Sequence, residues 1–394
     1  FFHEDAAAIA SSFMADKVTF NSKKTIEWIS NHHRAKTVLA DLVKFMRVGT
    51  LETAINDINI HLKLESLLKP KVIKHFLEQQ PRSIMWQNYF VAAIFSPLFM
   101  EIKRRLKLLL HGKFIYADGM TPEEINITLG QTRPSKYMFE NDLEKQDRQT
   151  DSPLINLELS LYHAVGCHDD VLCLWQTVHE IWRFKSNYSW GFCKEMRLTG
   201  QATTSLGNWI TDMQTHCEFI MDNFDALDYV MMTGDDNNAG FQSKPDISNL
   251  QTNIATKFNM MSEPKVSRDV GAFCCFLTIN YNGRNTLVPD IIRMKNRYEV
   301  TNGVSEATEH NLRLRSLSYL MMVATEESEV AQILKSTSRP FDPWFDIDAA
   351  VKATAIQYKV DESVVFNDLA LLRTMIKQNK VFAHSWEAWV PKKA

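Results

Sequence analysis

The stretch DYVMMTGDDNNAGF, residues 228–241, decides the fold of the central part of the chain. An apolar run leads into Thr-Gly-Asp-Asp and a weaker run follows, a pattern that predicts two strands joined by a tight turn. Asp235 and Asp236 lie on that turn. Adjacent acids on a turn fit either a solvated loop or half of a metal site whose other ligands come from elsewhere. The turn alone leaves both interpretations open.

The composition is that of an ordinary soluble globular protein, with 45% apolar and 23% charged residues. At 394 residues the chain exceeds the size at which one hydrophobic core stops growing, so we expect two or three packed subregions. The longest apolar run, residues 90–100, is shorter than the ~18 residues of a membrane span. The six scattered cysteines indicate a reducing compartment. Because the chain lacks a signal peptide and begins at Phe1, we expect a piece of a longer precursor or a trimmed chain.

Positive charge is concentrated in residues 63–113, although the net charge of the chain is −3. That range contains ten basic residues and three glutamates, an excess of seven positive charges. The basic residues are Lys63, Lys69, Lys71, Lys74, Arg82, Lys103, Arg104, Arg105, Lys107 and Lys113. Such a concentration is expected of a phosphate-binding surface. A solvated helix face with lysine stems lying over apolar surface is the alternative.

Apolar residues recur at spacings of three and four in several segments, which predicts helices there. These segments are residues 25–46, residues 97–110 and residues 161–184, the last with a break near Gly166. In the second segment, Leu98, Ile102, Leu106 and Leu109 lie along one apolar stripe of the predicted helix, and the Lys and Arg residues of the segment cover the rest of its surface.

The centre of the chain has strand and turn patterns. YMFENDL, residues 137–143, predicts a short strand ending in acids. FCCFLTINYNGRNTLVPD, residues 273–290, predicts a second hairpin with Asn282-Gly283 as its turn. Helical patterns return after about residue 303. Helix-rich ends around a few central strands predict an α+β fold rather than a regular βαβ alternation.

Two groups of acids have the spacing of a two-metal site. FENDLEKQD, residues 139–147, supplies Asp142 at a strand end and Asp147 five residues later, and the turn supplies Asp235 and Asp236. Nucleotidyl transfer needs carboxylates from separate strands that converge on ions ~3.5–4 Å apart. Magnesium suits this task because it takes oxygen ligands from one or two carboxylates plus substrate phosphates.

A glycine- and threonine-rich segment lies between the two groups of acids. LTGQATTSLGNW, residues 198–209, spaces Gly200, Thr204 and Asn208 four residues apart. This pattern predicts a flexible turn before a helix whose polar residues share one face.

In this order, the motifs resemble those of the RNA-dependent RNA polymerases of positive-strand RNA viruses, specifically the alphavirus-like group of togaviruses, tobamoviruses and bromoviruses. FENDLEKQD, RLTGQATTSLGN and TGDDNN resemble the first, second and third palm motifs. QQPRSIMWQ and FSPLFMEIKRRL resemble the basic fingers motif that grips the incoming triphosphate. NMMSEPKVSRDVGAFCCFL resembles the segment of the palm lysine, and VPDIIRMK the entry to the thumb. The resemblance covers about residues 60–300.

The resemblance implies an α+β right-hand polymerase fold of fingers, palm and thumb, with a small antiparallel palm sheet flanked by helices. The implied division is an N-terminal region with fingers, a first palm segment, a fingers insertion, a second palm segment and a thumb. The corresponding ranges are 1–136, 137–160, 161–195, 196–300 and 301–394.

The resemblance also implies roles for the acids and for one lysine. Asp142 and Asp235 correspond to the main ligands of Mg²⁺ or Mn²⁺, and Asp236 to an auxiliary ligand. Lys265 corresponds to the acid that protonates the departing pyrophosphate.

Other matched residues correspond to the nucleotide-binding positions. Asp147 and Asn208 correspond to the pair that senses the ribose 2′-hydroxyl. Thr204 and Gly200 correspond to residues that shape the nucleotide pocket and the template path, and Arg82 to the group that neutralises the triphosphate. Lys71 and Lys74 are rivals of Arg82 for that phosphate.

The chain departs from the family pattern at several positions. Thr199 replaces the serine of Ser-Gly, RQTD follows Asp147, FCCF replaces a Phe-Cys-Gly turn, and Asn238 is polar on a returning strand. None of these changes removes a metal ligand.

Three functions remain under comparison. The first is an RNA-directed RNA polymerase that replicates and transcribes a viral genome, the second a reverse transcriptase, and the third an inactive RNA-binding scaffold. The implied partners are RNA template and nascent RNA, nucleoside triphosphates, and capping methyltransferase and helicase domains of a replicase. The implied location is a membrane-associated replication complex in the host cytoplasm, with membrane attachment through other parts of the replicase.

A zinc site is a separate alternative in the segment HAVGCHDDVLC. His163, Cys167, His168 and Cys173 supply ligand types, but structural zinc usually requires close, regular ligand pairs. A helical turn in the fingers is the preferred interpretation. Arg313 and Arg315, in a predicted thumb helix, are candidates to face RNA.

Overall fold

Helices make up most of both ends of the chain, and strands cluster in its middle. The computed structural model describes residues 1–48, 55–62, 83–185, 190–303, 309–330 and 345–378. The helices are α1 (Ala6–Phe13), α2 (Ser22–Asn31), α3 (Ala35–Val48), α4 (Tyr89–Leu108), α5 (Pro122–Leu129), α6 (Gln146–Gln149), α7 (Ser152–Ala164), α8 (Asp169–Glu180), α9 (Thr204–Asp222), α10 (Leu250–Phe258), α11 (Ile291–Gly303), α12 (Glu309–Val323), α13 (Ile347–Tyr358) and α14 (Glu362–Gln378). The strands are β1 (Asp57–Leu62), β2 (Ser83–Gln87), β3 (Phe114–Tyr116), β4 (Tyr137–Leu143), β5 (Trp182–Lys185), β6 (Trp190–Cys193), β7 (Leu227–Thr233), β8 (Asp236–Phe241), β9 (Ser262–Arg268), β10 (Val270–Phe273), β11 (Phe276–Tyr281) and β12 (Arg284–Pro289). This arrangement confirms the predicted α+β class.

A five-stranded sheet in the order β3-β7-β8-β4-β9 forms the centre of the structure. Neighbouring strands are antiparallel except β3, which runs parallel to β7 at one edge. Six consecutive residues of β7, from Leu227 to Met232, are buried, as expected of a strand covered on both faces. Helix α9 packs on one face, where the Phe139 and Phe219 rings lie 4.6 Å apart. The sheet is thus antiparallel except at one edge.

Two smaller sheets flank the central one. Strands β10, β11 and β12 form an antiparallel meander, and β2, β1, β5 and β6 form a four-stranded sheet. The turn between β11 and β12 is Asn282-Gly283, with φ values of 51° and 76°. Positive φ at both central residues is the requirement of a type I′ hairpin turn. The second predicted hairpin is therefore confirmed.

The hydrophobic core is divided into two main clusters. The larger cluster joins α4, α7, α8 and α9 to the central sheet, and the stripe of Leu98, Ile102, Leu106 and Leu109 lies buried within it. The second cluster joins the β10–β12 meander to α11, α12, α13 and α14. The meander therefore shares its core with the C-terminal helices. The division of the chain into fingers, palm and thumb segments stays a prediction.

The predicted break in the segment 161–184 is present, but the end of that segment differs from the prediction. Helices α7 and α8 are separated at Gly166, whose φ is +86° and whose Cβ position lies 2.5 Å from the Phe13 carbonyl oxygen. Residues 182–185 form strand β5 rather than helix, because they pair with β1 and β6. The prediction of helix was wrong there, since the periodicity of a short segment cannot reveal a distant strand partner.

The basic side chains of α4 do not form a uniform solvated face. Arg105 is buried and donates hydrogen bonds to the carbonyl oxygens of Phe13, Asp16 and Val165. Lys103 pairs with Asp118 at 2.5 Å. Arg105 therefore joins the N-terminal segment to the core, which neither interpretation of the basic run anticipated. The other members of that run are either paired with protein groups or lie outside the described residues, as Lys63, Lys69, Lys71, Lys74 and Arg82 do.

No helix of the described residues is long and apolar enough to cross a membrane.

Candidate active site

The turn between β7 and β8 presents Asp235 and Asp236 at an open end of the central sheet. Thr233 and Asp236 are the last paired residues, and both aspartates are exposed. Gly234 has φ +58°, a conformation that glycine adopts without the steric cost that a Cβ imposes. The predicted Thr-Gly-Asp-Asp turn is therefore confirmed.

Asp142 lies at the same end of the neighbouring strand. The last paired residues of β4 and β8 are Phe139 and Ala239. Three residues further along the same register, Asp142 of β4 lies opposite Asp236 of β8. Residues that are level in an antiparallel pair point to the same face of the sheet. Asp142 is exposed, as are Asp235 and Asp236. The structure thus brings together the three acids that the sequence predicts as metal ligands.

The surroundings of Asp236 raise the pKa of its carboxyl. Removal of its carboxyl from water raises the pKa, and the charges of Asp235 and Asp142 raise it further. The Cys274 thiol and Arg293 act in the opposite direction. Within the described residues, no three His, Cys, Asp or Glu side chains form a group already arranged around one metal position. The role of these acids as metal ligands stays a prediction.

Cys274 is a neighbour of the site that the sequence did not reveal as such. It occupies the β10–β11 turn with φ 55°, and Arg293 donates a hydrogen bond of 3.1 Å to its carbonyl oxygen. Its thiol lies against Asp236, and burial followed by the charge of Asp236 raises the pKa of the thiol. The raised pKa favours the protonated thiol, which can donate a hydrogen bond to the carboxylate.

Asp147 and Asn208 are in direct contact. Asp147 lies in α6, directly after β4, and accepts a hydrogen bond of 2.7 Å from the Asn208 Nδ2 in α9. Asn208 is buried, and its Oδ1 has no hydrogen-bond partner among the described residues. The backbone of Asn208 also accepts a bond of 2.8 Å from Gln146. The structure therefore joins the two residues predicted to sense the ribose.

Gly200 and Thr199 connect the loop before α9 to strand β2. A Cβ at Gly200 would lie 2.8 Å from the Trp86 Cβ, so the close approach of the two chains requires glycine. The Thr199 hydroxyl accepts a bond of 2.8 Å from the Met85 N–H and donates one of 3.2 Å to the Met85 carbonyl oxygen. The hydroxyl that threonine shares with serine therefore has a structural use here.

Thr204 closes the same loop onto the first turn of α9. Its hydroxyl donates a bond of 2.6 Å to the Leu198 carbonyl oxygen and accepts one of 3.0 Å from the Gln201 N–H. Because its hydroxyl makes both bonds, Thr204 shapes the loop by linking the backbone of Leu198 to that of Gln201.

A buried ion pair supports this loop from behind and was not predicted. Arg197 and Glu158 are 0% and 2% exposed, and the Arg197 Nη2 donates to the Glu158 carboxylate. Tyr162 donates a bond of 2.6 Å to the same carboxylate. A side chain larger than hydrogen at Gly207 would overlap the Arg197 guanidinium. The sequence contains no local signal for this pair, because the two partners lie 39 residues apart.

Lys265 lies on β9 opposite Glu140 of β4, and the two side chains form an ion pair at 2.5 Å. Glu140 and Asp142 alternate along one strand and so share a face of the sheet. Lys265 is exposed on that face. It lies two residues along β9 from Glu263, the residue that is paired with Asp142. Glu140 also accepts a bond of 3.0 Å from the Ala272 N–H, which holds it in place as the partner of the lysine.

The remaining candidates have other positions. The His168 ring accepts a bond from the Asp170 N–H at the start of α8, and His163 pairs with Asp169 at 3.3 Å. Cys167 is buried, and burial raises the pKa of its thiol to about 12, whereas Cys173 is exposed. Arg82 and the side chain of Arg313 lie outside the described residues, and Arg315 is exposed on α12.

Comparison with known proteins gives one consistent result. Residues 6–310 match the RNA dependent RNA polymerase family. Replicase polyprotein 1ab of Beet yellows virus (isolate Ukraine) is 24% identical over 265 residues, which are 64% of this chain and 8% of that protein. RNA-directed RNA polymerase 2a of Alfalfa mosaic virus is 25% identical over 185 residues, 45% of this chain and 23% of that protein. The chain thus matches less than a quarter of the length of these relatives.

A solved structure shares the fold. The insertion loop deletion mutant of the RNA-dependent RNA polymerase of a human picorbirnavirus superposes with a TM-score of 0.57, covering 95% of this chain and 79% of that one. The identity is 12%, so this likeness concerns the fold alone. The predicted polymerase fold and the predicted relationship to alphavirus-like replicases are confirmed. Because the family match covers more than half of the sequence, the chain belongs to the RNA-dependent RNA polymerase family.

Proposed function

We propose that this RNA-directed RNA polymerase extends RNA by two-metal nucleotidyl transfer, with Asp142 and Asp235 as the main ligands of Mg²⁺ or Mn²⁺ and Asp236 as an auxiliary. The observation that carries the proposal is the meeting of three exposed acids at one end of two neighbouring strands. The donor set fits: partial removal from water and then the charges of Asp235 and Asp142 raise the pKa of Asp236, and divalent cations would offset the repulsion among the three carboxylates. Carboxylates on separate strands are also the usual anchors of such ions.

The reaction forms a bond between the 3′-oxygen of the growing strand and the α-phosphorus of a nucleoside triphosphate. The attacking hydroxyl releases its proton to water, the bond from that phosphorus to the bridging oxygen breaks, and pyrophosphate leaves. Bound Mg²⁺ ions supply two effects, a lower pKa of the attacking hydroxyl and neutralisation of the leaving group. The aspartates hold the reacting groups at the open end of the sheet.

Lys265 is the proposed donor of a proton to the departing pyrophosphate. Its exposure and its place on the face of Asp142 support this role. Its ion pair with Glu140 of the neighbouring strand holds the ammonium on that face. An ammonium that exchanges this carboxylate for a phosphate oxygen retains a charge-assisted hydrogen bond.

Asp147 and Asn208 are proposed to select ribonucleotides. The Asp147 carboxylate can accept a hydrogen bond from a ribose 2′-hydroxyl, and the Asn208 amide holds the carboxylate at 2.7 Å. A deoxyribonucleotide would leave this polar pair without its partner, which is costly in a partly buried pocket. This pair favours RNA synthesis over reverse transcription.

The proposal has three further parts. Arg82 contacts the triphosphate, Gly200 and Thr204 form part of the nucleotide pocket, and RNA is the template. Methyltransferase and helicase domains of a replicase are the proposed partners. The names of the relatives, a replicase polyprotein and an RNA-directed RNA polymerase, support this context. A membrane-associated replication complex in the host cytoplasm is the proposed location.

Primer extension on an RNA template tests the function. With ribonucleotides and Mg²⁺ we expect elongated RNA, and with Asp235→Ala we expect none above background. Preference for deoxyribonucleotides would favour the reverse transcriptase. The absence of metal-dependent product with either precursor would favour the scaffold, and activity that survives Asp235→Ala would refute the site.

A further inference from the structure

An asparagine side chain replaces the backbone pairing of β4 and β8 beside the acids. The paired residues of the two strands end at Phe139 and Ala239, and the same register brings Asn141 level with Asn237. There the Asn141 N–H donates to the Asn237 Oδ1 at 2.9 Å, and the Asn237 Nδ2 donates to the Asn141 carbonyl oxygen at 2.8 Å. The Asn237 side chain thus makes the two hydrogen bonds that the backbone of β8 would make in a regular antiparallel pair. The two strands are therefore separated at this point by the length of an asparagine side chain.

Helix α9 holds this amide from behind. The Asn237 Nδ2 also donates to the Asp212 carboxylate, with distances of 3.0 and 3.2 Å to its two oxygens. His216, one turn along α9, lies 3.1 Å from the Asp212 Oδ1 through its Nδ1. Its Nε2 lies 2.8 Å from the Asn141 Nδ2, which closes a ring of four residues in which Asn141 takes part through both its backbone and its side chain. We call Asn141, Asp212, His216 and Asn237 the buried polar ring.

The buried polar ring is almost completely removed from solvent. Asp212 and His216 are 0% exposed, Asn141 is 3% and Asn237 is 7% exposed. Hydrogen bonds in such surroundings are directional and costly to break, so the ring resists changes in strand separation. The next residues along the two strands are Asp142 and Asp236, which point toward solvent. On each strand a residue of the buried polar ring is therefore adjacent to one of the proposed metal ligands, Asn141 to Asp142 on β4 and Asn237 to Asp236 on β8.

We propose that Asn237, held by Asp212 and His216, is a positioning residue that sets the distance between Asp142 and the Asp235-Asp236 turn for binding divalent cations. The inference rests on the proposed metal-binding role of those acids. The physical basis is that a carboxylate pair binds a cation well only when its spacing is fixed, and supporting hydrogen-bonded residues fix it.

Asn238 provides a matched control on the same strand. It is 0% exposed and accepts a bond of 2.7 Å from the Tyr229 hydroxyl. Its Nδ2 donates a bond of 3.2 Å to the Ala272 carbonyl oxygen in β10. Asn238 therefore resembles Asn237 in residue type, burial and bonding, but it joins β8 to the meander instead of to β4.

The experiment measures Mn²⁺ binding to the full chain by electron paramagnetic resonance of the free ion, without RNA or nucleotide. The variants are Asn237→Leu and Asn238→Leu, with Asp235→Ala to establish that the signal reports the site. Thermal unfolding of each variant supplies the stability. If either leucine variant does not fold, Asn237→Ser and Asn238→Ser replace the pair, since the single hydroxyl proton of serine cannot be donated both to the Asn141 carbonyl oxygen and to the Asp212 carboxylate, as the two Nδ2 protons of Asn237 are.

We expect Asn237→Leu to weaken Mn²⁺ binding by about tenfold or more, as is usual when a group that orients metal ligands is lost. Asn238→Leu should lower the unfolding temperature similarly and leave the Mn²⁺ affinity near that of the wild type. Equal loss of affinity in the two variants would overturn the proposal, because it would mark a general loss of stability. Wild-type affinity in Asn237→Leu would overturn it as well, as would a Mn²⁺ signal that Asp235→Ala leaves unchanged.

Primer extension with the same proteins separates this inference from the proposed function. If the wild type binds Mn²⁺ at the site but extends no primer, the proposed function fails and the binding comparison still decides the role of Asn237. If the wild type extends RNA and Asn237→Leu retains both activity and affinity, only the positioning role fails. A rise in the Mn²⁺ concentration needed for half-maximal extension in Asn237→Leu, at a similar KM for nucleotide, would support both.

Discussion

The β7–β8 and β11–β12 hairpins have similar local construction and different surroundings. Each has a two-residue turn with a glycine in the left-handed region, Gly234 at φ 58° and Gly283 at φ 76°. The first turn adjoins β4, which brings Asp142 beside its acids, whereas β11 and β12 pack on the C-terminal helices. The comparison teaches that a turn sequence determines a turn, and that the neighbouring strand determines whether the turn belongs to a site.

The comparison is tested most strongly by one substitution in each turn. Asp235→Ala should lower the rate of primer extension by about a thousandfold or more, since metal-ion stabilisation contributes several kcal/mol to the transition state. Asn282→Ala in the other turn should reduce stability slightly, because alanine tolerates a φ of 51° less well than asparagine, and should leave the rate of the folded protein unchanged. Single-turnover kinetics on both variants measure this. A similar loss of rate in both would contradict the assignment of the site to the first hairpin.

The buried ion pair of Arg197 and Glu158, behind the loop before α9, should have a large effect on stability. Arg197→Met should lower the free energy of unfolding by about 3 kcal/mol, because it leaves the Glu158 carboxylate buried without its cation. Arg104→Met, which breaks an exposed pair with Glu101, should cost less than about 1 kcal/mol. Urea unfolding monitored by tryptophan fluorescence compares them. Equal costs would show that the loop before α9 does not depend on the pair.

The hydrogen-bonded pair of Asp147 and Asn208 should discriminate between sugars. Asn208→Ala should reduce the preference for ribonucleotides over deoxyribonucleotides by about a hundredfold, since Asp147 loses the amide that orients it. Asn223→Ala, at the other end of α9, removes a bond of 2.8 Å to the Phe219 carbonyl oxygen and should leave the preference intact. The ratio of kcat/KM for a ribonucleotide and its deoxy analogue is the measurement. An unchanged ratio in Asn208→Ala would exclude the pair from sugar recognition.

The smallest expected effect is a pH dependence of stability that arises at His179, next to the loop before α9. Burial lowers the pKa of His179 to about 4, although a hydrogen bond to the Trp175 carbonyl oxygen opposes the shift. The unfolded chain, with a His pKa near 6.5, therefore binds more protons between these values. The contribution to stability is complete above pH 6.5 and decreases as the pH falls toward 4, at up to about 1 kcal/mol per pH unit.

Replacing the histidine isolates its part of this dependence. His179→Gln should make the free energy of unfolding vary less steeply between pH 6.5 and 5.5, as measured by urea titrations at several pH values. His163→Gln, which changes an exposed histidine, should keep the wild-type slope. An identical slope in the wild type and His179→Gln would show that this side chain does not titrate differently in the folded state.

Local structure was largely predictable from sequence. Strand β4, both hairpins, the break at Gly166 and the buried stripe of α4 follow from periodicity and turn chemistry, which act within a few residues. The error at residues 182–185 has the opposite cause, since pairing with β1 and β6 overrode the local helical pattern. Arg105 likewise has a basic side chain that the pattern assigned to the surface, but carbonyl groups from two distant segments bind it in the interior.

The sequence by itself determined the motifs, their order and the family resemblance, because these depend on residue identity and spacing along one chain. Only the tertiary structure decided that Asp142 is level with Asp236, that Arg197 lies on Glu158, and that Asn237 spans the gap to Asn141. Asparagine is unexpected at positions 237 and 238 of a returning strand, and the hydrogen-bond partners of each side chain explain why it is present there. The physical reason is that a buried polar side chain is stable only with a partner, and that partner comes from a distant segment which folding alone brings near.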